Sequence, residues 1–130
     1  MVIAQATAAE LASLADSARY TKRHDLARQV LLAIRARFAG SEHARDASFF
    51  LGRLAEASTS RPDAALTWYD TYLGEASHGL YASEALGREM TLLARSAPER
   101  ARKVARSYLE RFPRGPQAEL ARSLLESDSE

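Results

Sequence analysis

The sequence has no cysteine, which excludes disulfides, thiolate catalysis and cysteine-ligated zinc. No apolar run approaches the ~18 residues that a membrane-spanning helix needs, and no segment alternates polar and apolar residues with the period of a β-strand. The net charge is only +1, so the total charge does not favour nucleic acid or an acidic membrane as a partner. The remaining composition, 46% apolar and 27% charged, is ordinary for a soluble globular domain with its own core.

Residues 1–15 make a poor secretion signal, because they are rich in alanine, lack a basic start and carry Glu10. The sequence as written therefore predicts a cytoplasmic protein. If the chain is a piece of a longer protein, a periplasmic or membrane-tethered location is the alternative.

The residues present favour helices, because Ala, Leu, Arg and Glu are abundant and apolar residues recur at helical spacing. Thr7 with Glu10 predicts a capping box at the first helix, and Gly40 followed by Ser41 predicts a helix end and the next cap. Ser60 is expected to cap a later helix. These signals predict an all-α domain over residues 1–130, with helical hairpins at about 6–39, 41–77 and 80–113 and a capping helix at about 116–127.

The strongest pattern is a repeat of about 35 to 38 residues. A repeat of this length with helical content predicts stacked helical hairpins, which present an extended surface rather than a reaction centre. The recurring segments are Leu51-Gly52-Arg53 with Leu86-Gly87-Arg88, Ser60-Arg61-Pro62-Asp63 with Ser96-Ala97-Pro98-Glu99, and Tyr72-Leu73 with Tyr108-Leu109.

At these residues the chain resembles the tetratricopeptide repeat family. That family places a Leu-Gly or Leu-Ala pair inside its first helix, where two helices approach closely. It also places a small residue early in the second helix, with a large one a turn later. The matching residues are Leu14-Ala15, Leu51-Gly52 and Leu86-Gly87 for the first feature, and Ala27 with Leu31 and Ala65 with Tyr69 for the second.

The resemblance implies a right-handed solenoid of three hairpins closed by the capping helix. Its long repeats are similar to those of bacterial cell-envelope proteins, such as the periplasmic coordinator of the Tol–Pal system and the lipoprotein of the outer-membrane barrel assembly machine. It also implies a non-catalytic scaffold or adaptor that docks a segment of a protein partner in the concave groove formed by the first helices. The sequence does not name that partner.

Projecting the family's groove onto this chain brings two arginines and aromatic residues together. Phe49, Arg53 and Arg88 are the predicted contacts. The two guanidinium groups can bind an acidic side chain or a C-terminal carboxylate bidentately, and Phe49 supplies the aromatic contact. The alternative is that both arginines are solvated and pair with Glu56 or Glu84 one turn away. The full set of predicted groove residues is Asp16, Tyr20, Phe49, Arg53, Tyr81, Glu84 and Arg88.

Two aromatic groups have two interpretations each. Phe49 and Phe50 are adjacent and cannot share one helical face, so one is expected in the core and the other exposed or wedged against a neighbouring hairpin. Trp68, Tyr69 and Tyr72 either pack between hairpins or form a docking patch on the convex side.

Two rival functions remain open. Segment 95–114 holds seven basic residues against two acidic ones, so it could bind nucleic acid or acidic headgroups, unless it is solvated or paired with the acidic tail. Alternatively, the chain self-associates through Leu120 and Leu124, as a structural domain of a larger membrane-tethered bacterial protein.

The sequence predicts no enzyme, no metal site and no cofactor. The three histidines, His24, His43 and His78, fall in or near turns, and none has another histidine three or four residues away. No glycine-rich phosphate loop, nucleophile elbow or zinc-protease motif occurs.

Overall fold

The computed structural model describes residues 2–58 and 61–126, which form seven α-helices and one 3-10 turn and contain no strand. This confirms the all-α prediction. The predicted cap at Ser60 and the predicted pairing of the acidic tail, 127–130, lie outside the described residues. The elements are the 3-10 turn Ile3–Gln5, α1 Ala8–Tyr20, α2 His24–Arg37, α3 Glu42–Ser58, α4 Pro62–Glu75, α5 Ala82–Ser96, α6 Pro98–Arg111 and α7 Ala118–Glu126.

The chain divides into two compact units, Met1–Ala76 and Ser77–Glu130. In the first unit α1 packs on α2, α2 on α3 and α3 on α4, with α1 also touching α3. In the second unit α5 packs on α6 and α6 on α7. Neighbouring helices thus pack against each other in each unit, whereas the single domain over residues 1–130 and the solenoid stay predictions.

Local sequence signals account for the helix ends. The Thr7 hydroxyl accepts a hydrogen bond from the Glu10 N–H at 3.1 Å, and the Glu10 carboxylate accepts one from the Thr7 N–H at 2.9 Å. These hydrogen bonds complete the predicted capping box and lower the pKa of Glu10. Gly40 has a φ of +86°, and the Ser41 hydroxyl accepts from the Ala44 N–H at 3.1 Å, as the sequence predicts.

The core of the first unit is built from small and branched side chains on α1, α2 and α3. Alanines such as Ala15 and Ala27 are buried at the helix contacts and let the backbones approach closely. The buried cluster consists of Ala6, Leu11, Ala15, Ala18, Ala27, Val30, Leu31, Ile34, Ala44, Ala47, Leu51 and Leu54.

Aromatic residues fill the contact between α3 and α4. The Phe49 ring lies 5.8 Å, centroid to centroid, from both Tyr69 and Tyr72. All three side chains are buried, and the Tyr69 hydroxyl hydrogen-bonds to the Glu56 carboxylate. Gly52 lies under the Tyr69 ring, so this contact requires a residue without a side chain at position 52.

Arg35 ties three helices of the first unit together. Its guanidinium donates two hydrogen bonds to the Glu75 carboxylate, at 2.9 and 3.0 Å, and one to the Ala44 carbonyl at 2.7 Å. It also lies 5.9 Å from the centroid of the Trp68 ring. These contacts link α2 to α3 and α4 beside the Trp68 ring.

The Arg35–Glu75 pair predicts a pH dependence of stability. The hydrogen bond from Arg35 lowers the pKa of Glu75 below its ordinary value. A lowered pKa in the folded state stabilises the protein above the unfolded pKa of about 4.3, and this contribution is lost as the pH falls through the folded pKa.

Glu75→Gln should therefore reduce the free energy of unfolding at pH 7 and have less effect at pH 3. The side chain is 40% exposed, so we expect a loss below about 1 kcal/mol. Urea titrations followed by Trp68 emission at the two pH values measure the difference, with Glu119→Gln in the second unit as the control. An equal loss at both pH values would contradict the assignment.

In the second unit, Tyr108 joins three segments. Its hydroxyl lies 2.9 Å from the Ser83 hydroxyl of α5 and accepts a hydrogen bond, also 2.9 Å long, from the backbone N–H of Gln117, just before α7. The ring is buried, and its centroid lies 5.4 Å from that of the tilted Phe112 ring. The start of α7 is thereby attached to the α5–α6 pair.

Candidate partner-binding site

A cleft opens where α1 ends beside α3. It has a volume of ≈ 270 Å³, and we name it the Arg53 cleft. Its six lining residues come from the last turn of α1, the first residue of α2 and the second half of α3. They are Arg19, Tyr20, His24, Arg53, Leu54 and Ala57.

Helical spacing explains why α3 lines this cleft. Phe50, Arg53, Leu54 and Ala57 lie three, four and seven residues apart, which places them on one stripe of the helix. Leu54 is 6% exposed and forms an apolar wall, whereas Arg53 is exposed. No ion pair joins Arg53 to any residue that the structure describes.

Arg19 is held in position from two sides. Its guanidinium carbon lies 4.0 Å from the centroid of the Phe50 ring, and Nη1 donates to the Asp16 carboxylate at 2.9 Å. Asp16 is one turn earlier on α1, so both contacts follow from helical spacing. A guanidinium held in this way loses less side-chain freedom when a ligand binds.

The turn between α1 and α2 leaves Tyr20 in solvent. The Arg23 N–H bonds to the Ala18 carbonyl at 2.8 Å and the Lys22 N–H to the Arg19 carbonyl at 3.1 Å, which is the Schellman pattern of a helix end. Lys22 takes the left-handed conformation that this pattern requires, with φ of 58°. α1 therefore ends at Tyr20, whose side chain is 87% exposed at the cleft edge.

The Arg53 cleft combines two cations, an exposed aromatic ring and an apolar wall. Two guanidinium groups suit a carboxylate, and the tyrosine ring and Leu54 suit an adjacent apolar side chain. His24 Nδ1 is shielded from solvent and has no hydrogen-bond partner among the described residues.

One predicted contact residue is wrong. Phe49 is 2% exposed and belongs to the aromatic cluster with Tyr69 and Tyr72, so its side chain is not available to a partner. The physical reason is that Phe49 and Gly52 share the face of α3 that α4 approaches. Phe50 is the partly exposed member of the pair and packs against Arg19.

The other predicted groove residues of the first unit meet at the cleft. Tyr20 and Arg53 line it, and Asp16 orients Arg19. Arg53 forms no ion pair with Glu56 in the part of the chain that the structure describes, and the Glu56 carboxylate accepts the Tyr69 hydroxyl. Arg19 is not among the predicted contacts, although its spacing from Asp16 on α1 is a usable signal.

The remaining predicted groove residues belong to the second unit. Tyr81 is partly buried immediately before α5, Glu84 is exposed in its first turn, and Arg88 is partly exposed one turn further along. A groove that joins these residues to Arg53 stays a prediction.

Only part of the basic segment 95–114 is available to bind a polyanion. Arg102 pairs with Glu99, and the Arg111 guanidinium lies 5.4 Å from the centroid of the Phe112 ring. Lys103 and Arg106 are exposed on α6. These contacts within the unit reduce the charge that could face a polyanion.

The predicted self-association residues lie on α7. Leu120 and Leu124 are partly buried there, and α7 packs on α6 and α5. Self-association through them stays a prediction.

Over the described ranges, no three His, Cys, Asp or Glu side chains come together in a way that could hold a metal ion. None of the described helices is both long enough and apolar enough to cross a bilayer. Comparison of the chain with models of known protein families and with curated proteins found no match.

Proposed function

We propose that this chain is a non-catalytic protein-interaction module of tetratricopeptide-like hairpins, a scaffold or adaptor that docks an acidic segment of a partner protein. The observation that carries the proposal is the Arg53 cleft, where two guanidinium groups and a solvent-exposed tyrosine surround an apolar wall. Arginine and tyrosine are among the residues that contribute most to protein–protein binding.

The charge distribution supports a local acidic contact rather than a polyanion. Residues 1–76 contain nine Lys or Arg and nine Asp or Glu, so the first unit carries no net charge. A surface that follows a nucleic-acid backbone needs an extended excess of cations. Here Arg19 and Arg53 line one cleft, which fits a short segment with a few carboxylates.

The proposal is tested with peptides of defined chemistry. A displayed library of random 16-residue peptides without tryptophan is selected on the purified chain, and the enriched peptides are synthesised with a fluorophore. Binding is measured by fluorescence anisotropy, with each Asp or Glu replaced by Asn or Gln in a matched peptide. We expect acidic peptides to be enriched and the neutral versions to bind more weakly.

Arg53→Glu should weaken binding of these peptides by about tenfold or more, because it replaces an attractive charge with a repulsive one. Arg106→Glu, an exposed arginine on α6, changes the net charge equally and should leave the affinity within about twofold. Unchanged helicity of both variants is checked by circular dichroism. If no peptide binds, or if both variants behave alike, docking at this cleft is wrong.

A further inference from the structure

We infer a second docking point on the same unit, a cleft between α2, α3 and α4 that accepts one large apolar side chain of the acidic segment. We name it the Trp68 cleft. The inference rests on the proposed function, because it extends the path of the segment that the Arg53 cleft binds. The residues that carry it are Arg28, Leu51, Leu54, Arg61 and Trp68.

The Trp68 cleft has an apolar floor and a basic rim. Leu51 and Leu54 form part of its lining with Trp68, and Arg28 and Arg61 border it from α2 and from the residue before α4. Its volume is ≈ 280 Å³. Pockets for small molecules usually measure about 300–1,000 Å³, so this cleft is at the small end of that range and has room for one large apolar side chain.

The Trp68 side chain is held in place by its surroundings before a ligand binds. Arg35 lies against its ring, and the indole packs on the core of the first unit while staying only partly buried. An aromatic side chain fixed by its surroundings gives contact area at little cost in conformational freedom. Of the aromatic group Trp68, Tyr69 and Tyr72, the two tyrosines are buried in packing, whereas Trp68 borders a cleft, which favours a docking role for Trp68 alone.

The two clefts are neighbours on the first unit. Leu54 lines both of them, and a wider depression of ≈ 620 Å³ shares lining residues with each. That depression shares His24 with the Arg53 cleft and shares Arg28 and Ser58 with the Trp68 cleft. A single extended segment can therefore occupy both docking points.

Charge along this path identifies the occupant as acidic. Asp25 is the single carboxylate among the described residues that line the three depressions. Arg19 and Arg61 each pair with a neighbouring aspartate through one guanidinium nitrogen and keep further N–H donors, and the other four cations have no ion pair among the described residues. The lining cations are Arg19, Lys22, Arg23, Arg28, Arg53 and Arg61.

A peptide fits this path better than a nucleic acid does. Base stacking uses a row of exposed aromatic rings, and the path offers Tyr20 at one end and the partly buried Trp68 at the other. An apolar floor beneath a basic rim matches a Leu or Phe side chain flanked by carboxylates.

Trp68 is the only tryptophan in the sequence, so its emission reports directly on this cleft. The probes are the tryptophan-free peptides selected above and versions in which each Leu or Phe is replaced by Ala. We expect the parent peptides to shift Trp68 emission to shorter wavelength and to reduce its quenching by acrylamide. The Ala versions should bind at least about fivefold more weakly and lose the shift.

Two variants test the Trp68 cleft independently of the Arg53 cleft. Arg28→Glu places a negative charge on the rim from an exposed position, and Ala64→Phe fills the cleft from α4. Both should weaken the parent peptides by about fivefold or more, with Arg106→Glu as the neutral control. Circular dichroism and the urea midpoint identify loss of folding, and Arg28→Glu keeps the test valid if Ala64→Phe does not fold.

The outcomes distinguish the inference from the proposed function. Peptides that depend on Arg53 but leave Trp68 emission and the Arg28→Glu affinity unchanged overturn the Trp68 cleft and leave the proposed function standing. Failure of every selected peptide to bind overturns both. Displacement of the peptides by a sixteen-nucleotide oligothymidylate, with a steep salt dependence, also overturns both and favours a nucleic-acid partner.

Discussion

Replacing Gly52 by alanine should destabilise the first unit by about 2 kcal/mol, although alanine is the better helix former. A Cβ at this position would lie 2.5 and 2.7 Å from two carbons of the Tyr69 ring. That ring is fully buried and hydrogen-bonded to Glu56, so it has little room to move. Overpacking of this kind costs about 1–3 kcal/mol and exceeds the ~0.5–1 kcal/mol that alanine gains over glycine in a helix.

The measurement is a urea titration followed by Trp68 emission, since Trp68 lies in the same unit as Gly52. With a slope near 2 kcal/mol per molar urea, a loss of 2 kcal/mol lowers the midpoint by about 1 M. Gly74→Ala is the matched control. Among the described residues, no atom beyond its chain neighbours and its own helix backbone lies within 4 Å of the added Cβ, so Gly74→Ala should be neutral or stabilising by about 0.5 kcal/mol.

Gly87→Ala tests whether the two repeats use their glycines in the same way. The added Cβ would meet the Gln117 side chain at 2.6 Å, but a glutamine side chain can rotate away more easily than a buried ring. We therefore expect Gly87→Ala to cost less than Gly52→Ala. Equal costs, or a neutral Gly52→Ala, would show that the α3–α4 contact adjusts more freely than the packing indicates.

The helices were predictable because their signals are local. A capping box needs only Thr7 and Glu10 at the right spacing, and a left-handed glycine such as Gly40 needs only its own conformational freedom. The composition and helical spacing were enough to predict that the described residues form helices and no strand.

The sequence did not predict which face of α3 packs against α4. The Leu51-Gly52 pair predicted a close helix contact, and residues three apart share a helical face. Phe49 could therefore have been placed toward α4, but its neighbour Phe50 is equally large and apolar. The fold resolved this choice by placing Tyr69 over Gly52 and Arg19 over Phe50.

The site depends on contacts that no single segment encodes. The sequence indicated Tyr20 and Arg53 through the repeat, whereas the cleft also needs the α1–α2 turn that ends at Lys22. The proposed path to Trp68 crosses residues of four helices, α1 to α4. A sequence pattern does not predict the width of such a surface, because side chains that are far apart in the chain determine that width.

Replacing Tyr108 by phenylalanine should destabilise the second unit by about 2 kcal/mol while leaving its shape unchanged. The variant removes only the hydroxyl that accepts from the Gln117 N–H and contacts the Ser83 hydroxyl, both at 2.9 Å. A partly buried N–H without its acceptor costs about 1–3 kcal/mol. Because Gln117 precedes α7, this loss should fall on the attachment of α7 to the α5–α6 pair.

Urea titration followed by circular dichroism measures the loss of stability, and hydrogen exchange shows where it falls. The Gln117 amide and the first turn of α7 should exchange faster in the variant, while α1 to α3 should be unchanged. Tyr20→Phe is the control, since its side chain is 87% exposed. A change below about 0.5 kcal/mol would mean that water replaces the hydroxyl, and that α7 is held by its buried alanines, Ala118 and Ala121, instead.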